Sequence, residues 1–154
     1  MDKLDSDAKI YKYKSDSPER IKLINKAIGI YDLIYENGDY GFGNLHLNLY
    51  HCTLAENYYG VNDIDSALNC LEKAAQHAVD FDTMTDFTHH TSLAVQGVEK
   101  TGGLIRNEQC RNNRCYGMLH KLHFDLTHGN VDLIKDDERF KAVVAKLEKH
   151  AKSY

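Results

Sequence analysis

The chain has 154 residues, a length suited to one domain with a core of its own. Its formal net charge is −4 and its lysines and arginines are dispersed, so no basic field points to nucleic acid. No apolar stretch approaches the roughly 20 residues of a membrane span, and the charged opening segment has no signal-peptide core, which together predict a cytoplasmic protein without membrane contact.

Pro18 is the only proline, and helical periodicity runs through nearly all of the sequence, so the expected class is all-α with about six helices. Residues 1–16 are charged and read as a short helix or a tail, ahead of a single domain over 17–152. Ser17-Pro18 opens the first helix, since a serine hydroxyl accepts from the free amides and proline suits the first turn. Its face is Ile21, Ile24, Ile28, Tyr31 and Ile34, and Asn37-Gly38 ends it. The second helix runs from about Asn44 to Tyr59, with Leu47, Tyr50, Leu54 and Tyr58 on one stripe and Ala55 beside it.

Gly60-Val61-Asn62 breaks the chain, and Asp63 caps a third helix. Ile64, Ala67, Leu68, Leu71, Ala74, Ala75 and Ala78 make it the cleanest amphipathic pattern present. A fourth helix is expected from Asp82 or Thr83, burying Met84, Phe87, Thr91, Ala94 or Val95, and Val98, and stopping at Gly102-Gly103. The fifth uses Cys115, Met118, Leu119, Leu122 and Leu126. The sixth begins at Asp136, where acids suit a positive helix terminus, and buries Phe140, Val143, Val144, Leu147 and Ala151. Short polar connections predict antiparallel neighbours.

Leu54, Ala55 and Tyr58, answered by Ala67, Leu71 and Ala74, give small and large residues at spacings that let two antiparallel helices cross closely. Residues 44–81 therefore resemble a tetratricopeptide repeat, a helix-turn-helix unit of about 34 residues. Such a unit cannot bury its apolar face alone, and the resemblance implies neighbouring helix pairs stacked into a right-handed superhelix. The first helix looks like the second half of a preceding repeat, and the fourth and fifth like a degenerate following one with an insertion at 99–110.

A longer resemblance rests on Asp63 through Asp82, on Thr91-Ser92-Leu93 with Gly97, and on Val131 through Phe140. Over residues 20–152 the sequence is similar to the C-terminal helical-repeat domain of bacterial Xre-type helix-turn-helix transcriptional regulators. That family implies repeats that sense a peptide or protein and dimerise, behind an N-terminal DNA-binding domain. A helix-turn-helix module needs on the order of 60 residues. Only the segment 1–16 precedes Ser17, so direct nucleic-acid binding by this sequence is not expected. The sequence then corresponds to a fragment of a longer regulator or to a stand-alone relative.

Catalytic and metal chemistry find little support. The nine histidines include His120 and His123 near Cys115 and His128, and the adjacent pair His89-His90, but none matches a common zinc spacing. Cys52 follows His51, and neighbours on a helix diverge by about 100°, so they do not form a nucleophile and base. The four cysteines, Cys52, Cys70, Cys110 and Cys115, fall in or beside helical patterns and are expected to be reduced thiols. The glycines of Gly38 to Gly43 lack the lysine and preceding strand of a phosphate loop. No cofactor, metal or enzymatic activity is expected.

With Ala55 and Tyr58 committed to packing, Leu49, Cys52, Glu56 and Tyr59 fall on another side of the second helix, the side that lines the ligand groove in tetratricopeptide proteins. Glu56 has the wrong sign for gripping a peptide carboxylate, so an apolar or basic partner is expected there, with the second and fourth helices as walls. The alternative is that these residues pack on another helix or a second chain, in a structural adaptor or oligomerisation module without a regulated ligand. Homodimerisation would use the sixth helix or the tyrosine-bearing first segment.

Overall fold

The computed structural model describes residues 17–84, 90–96 and 113–151, and all regular structure within them is helical. In order come α1 (Pro18–Ile34), α2 (Gly43–Gly60), α3 (Ile64–Thr83), α4 (Arg114–Thr127) and α5 (Glu138–His150). Three of the starts are capped by the side chain that precedes them. The Ser17 hydroxyl accepts from the Arg20 amide at 3.2 Å, the Asp63 carboxylate from Ser66 at 3.2 Å, and the Asp137 carboxylate from Arg139 at 2.8 Å. The breaks are as local. Asn62, at φ 61°, separates α2 from α3, and Gly129, at φ 73°, ends α4 in a left-handed turn.

The α2–α3 hairpin is the centre of the molecule and has its most extensive contact. It is antiparallel: Asn44 near the start of α2 bonds His77 late in α3, and Asn48 bonds the Ala74 carbonyl. Leu54, Ala55, Ala67, Leu71 and Ala74 are all buried along it, and Tyr58 packs at the edge of the same core. Alanine suits these positions because a larger side chain would hold the two backbones apart.

A second hairpin, α4–α5, lies on the first. Arg139 at the start of α5 meets Asp65 and Glu72 on α3, at 2.6 and 2.8 Å, and Lys146 further along donates to Gln76 at 3.0 Å. Hence α5 runs in the same direction as α3, and α4 packs against both. α1 packs chiefly on α2 through Ile24, Ala27 and Tyr31, with Ile21 and Ile28 at the margin, and leaves Ile30 and Leu33 outside. The approach is close, since a Cβ on Gly43 would sit 3.0 Å from the Tyr31 ring. One continuous apolar cluster joins all five helices.

Three expectations need correction. Asp82 and Thr83 do not open a fourth helix; they complete the last turn of α3, and Met84 leaves it extended. The Asp82 carboxylate does serve a helix N-terminus, but that of α4, where it accepts from the Arg114 and Cys115 amides at 2.9 and 2.8 Å. Residues 92–96 form a turn, with the Val95 and Gln96 amides on the Ser92 carbonyl. Ser92 is buried and Val95 half-buried in it, while Ala94 and the preceding Thr91 are exposed. Phe87, His89, Val98, Gly102-Gly103 and the segment 1–16 lie outside the described residues. The following helix pair is accordingly α4 with α5, the predicted fifth and sixth helices. Finally, α5 is capped by Asp137 rather than Asp136, because 131–136 form a turn that buries Val131 and Ile134.

Candidate functional site

One face of α2 opens onto a cleft of about 320 Å³. Cys52, Ala55, Glu56 and Tyr59 line it from α2, and Met118, Lys121, Leu122 and Asp125 from α4. Ala67 and Leu71 of α3, with Val131 and Ile134 of the turn after α4, complete the apolar lining. Its wall residues recur one turn apart on each helix, so both walls follow from helical periodicity. Gly129 and Asn130 bring the turn back across: the Asn130 amide bonds the Asp125 carbonyl at 2.9 Å, and its side chain donates to the Asp125 carboxylate at 3.1 Å. Tyr59 fixes the turn from α2, its hydroxyl accepting from the Leu133 amide at 3.3 Å.

The mouth carries charge. Lys121 Nζ sits 2.6 Å from Glu56 Oε1 across the cleft and 3.1 Å from Asp125 Oδ2 on its own helix. Burial alone would lower the Lys121 pKa, but hydrogen bonds to Glu56 and Asp125 outweigh it and raise it, so the ammonium stays charged. One cation therefore faces two carboxylates. The Cys52 thiol is pushed up to about 12 by burial, which leaves it a neutral packing group.

Behind the cleft, a buried polar seam ties the helices together. Asn48, fully buried, donates to the Ala74 carbonyl at 2.9 Å and accepts from Arg114 Nε at 3.0 Å, linking α2, α3 and α4. On the side of α2 facing α1, His51 stacks on His77 with ring centroids 5.4 Å apart and planes at 5°. His77 is held by Asn44 at 2.8 Å, and Tyr40 sets its ring edge-on at 5.5 Å. Burial, then the neighbouring His77 and Lys73, lowers the His51 pKa to about 4, and His77 is lowered as well, mainly by burial. The stack at His51 lies away from Cys52, which lines the cleft.

Of the predicted groove residues, Cys52, Glu56 and Tyr59 come together at this cleft. Leu49 does not line it and is 43% exposed elsewhere on α2. The facing wall is α4, not the fourth helix expected after Asp82. The sequence reading missed Lys121, Asp125 and Asn130; the i, i+4 spacing of Lys121 and Asp125 was the available signal, but not its pairing with Glu56. His120 and His123 are exposed on α4 while Cys115 is buried. Among the described residues no group of three or more histidine, cysteine or acidic side chains could hold a metal, Cys52, Cys70 and Cys115 are free thiols, and no helix is long and apolar enough to cross a membrane.

Comparison with protein-family models, curated proteins and solved structures finds no match.

Proposed function

We propose that this chain is a non-catalytic peptide- or protein-binding domain of tetratricopeptide type, working as a homodimer within a transcriptional regulator. The observation that carries the binding role is the cleft between α2 and α4, with an apolar floor and a rim of Glu56, Tyr59, Lys121, Asp125 and Asn130. Apolar lining with a few converging polar groups is the usual character of a recognition site. The order of the helices supports the repeat reading: two successive hairpins whose second members, α3 and α5, run in the same direction, with the first members α2 and α4 facing each other across the cleft. A neutral Cys52 thiol offers no nucleophile there.

The regulator role rests on the sequence resemblance alone. In that reading, a guest wedged between α2 and α4 favours one angle between the two hairpins, and the choice passes to a DNA-binding partner domain. Isothermal titration of the full chain against peptides encoded beside its gene tests the binding role. Saturable heat that is lost when Met118 is enlarged to tryptophan supports it, and the absence of heat across the set argues against it.

A second reading, an oligomerisation module without a ligand, is favoured by the exposure of Leu33, Phe124 and Leu133, 74%, 52% and 64% respectively. Sedimentation decides between them: a tight dimer that covers the cleft residues favours this reading.

A further inference from the structure

The contact between Lys121 and Glu56 is unlike the other ion pairs among the described residues. Lys135–Asp132 and Lys141–Glu138 are neighbours on one turn, and Arg139 clamps α5 to α3 on the partly exposed outer side of the stack, away from the cleft lining. Lys121–Glu56 instead spans the mouth of the cleft, from one wall to the other. Both side chains are about half exposed, at 49% and 52%, so the pair contributes little to stability and exchanges readily with another cation. Lys121 would not be stranded by such an exchange, because Asp125 holds it independently from the next turn of α4. Asp125 is itself satisfied, with Asn130 on one oxygen and Lys121 on the other. Glu56 uses one oxygen on Lys121 and has no protein partner for the other among the described residues. The surplus charge at the mouth is thus negative and resides on Glu56, directly above an apolar floor of Ala55, Leu71, Leu122 and Ile134.

On the reading of the cleft as a peptide site, we infer that its guest is a segment of a partner protein bearing an apolar side chain next to a lysine or arginine: the apolar group fills the floor, and the cation displaces Lys121 from Glu56. An acidic guest meets the reverse situation, since the one ammonium present is already shared between two carboxylates. Lys121 then acts as a placeholder that neutralises Glu56 until the guest arrives, and opposes acidic and neutral competitors by holding the mouth closed.

The probe is a randomised peptide library displayed on phage and panned against the full chain, followed by anisotropy titrations of the selected, fluorescein-labelled peptides. Leucine, isoleucine or phenylalanine beside lysine or arginine is the expected enrichment. Glu56→Gln should then weaken the selected peptides about fivefold, the range of a half-exposed ion pair, and Lys121→Met should tighten them by a similar factor. Replacing the cation of the peptide by glutamine should reproduce the Glu56→Gln loss on the unaltered protein, which keeps the test valid if a variant folds poorly. Enriched peptides without a cation, or indifferent to Glu56→Gln, overturn this inference while peptide binding stands. Tighter binding of acidic peptides that is lost in Lys121→Met also overturns it. A library that shows no enrichment overturns the binding role itself.

Discussion

His51 and His77 make the stability of this protein depend on pH, and the sign follows from their burial. In the unfolded chain each imidazole takes its proton near pH 6.5, whereas the folded state holds His51 neutral down to about pH 4. Above pH 6.5 neither state is protonated and the full stability is present. Between 6.5 and 4 the unfolded chain gains a proton that folded His51 refuses, so stability falls by about 3 kcal/mol in total. His77 adds in the same direction. Among the described residues Asp32, Lys73 and Asp80 are the charged groups that act on the pair, and Tyr40 bonds Asp32 at 2.8 Å beside it. Urea midpoints from pH 7.5 to 4.5 should show the fall, and His51→Gln should flatten it. Equal pH dependence in the variant would mean that the stack is not its source. Asn48 carries a comparable load. Asn48→Leu leaves Arg114 Nε without its acceptor and removes the donor to Ala74, at a cost of about 2 kcal/mol read from the same urea curves. Neither feature was legible in the sequence. The apolar stripes betray themselves by spacing, but His51–His77 and Asn48–Arg114 pair residues 26 and 66 positions apart, and a lone polar residue on a helix carries no mark of its partner.

Among the elements, α3 shows what periodicity can deliver and α4 what it cannot. The cap at Asp63, the alanines facing α2 and the apolar face of α3 all follow from local rules, and the sequence indicates them directly. The end of α3 does not, because Asp82 looks like the start of a helix. Its carboxylate is a helix-capping group, but the amides it serves belong to Arg114 and Cys115, brought near by the hairpin stacking. A helix start near Asp82 or Thr83 is what the local pattern suggests, and the amides that Asp82 serves lie 32 and 33 residues further on. The structure has α4 starting at Arg114 without a cap from its own Asn113 side chain, and the Asp82 carboxylate answers its first amides with charge. Asp82→Ala should therefore destabilise the protein by about 1–2 kcal/mol. Hydrogen exchange should place the loss in the first turn of α4 ahead of the end of α3. Faster exchange confined to α3 would contradict the assignment.

Two hairpins rest against each other through α3, and the cleft is the space that their first members leave between them. The sequence indicated α2 as one wall, because Cys52, Glu56 and Tyr59 stand off the stripe that packs on α3. The other wall depended on which helix comes next in space, and the misplaced fourth helix concealed it. α1 sits on the far side of α2 and takes no part in the cleft, so its replacement Leu33→Lys should leave ligand affinity unchanged. Anisotropy with a selected peptide checks this, and a loss of affinity would move the binding surface to α1. Amide chemical-shift mapping of the full chain with such a peptide reports whether the guest enters between α2 and α4. Entry there gives saturable shifts concentrated at Cys52, Glu56, Tyr59, Met118, Lys121 and Leu122. Shifts confined to the outer face of α1 or to α5, with these amides unmoved, would contradict it.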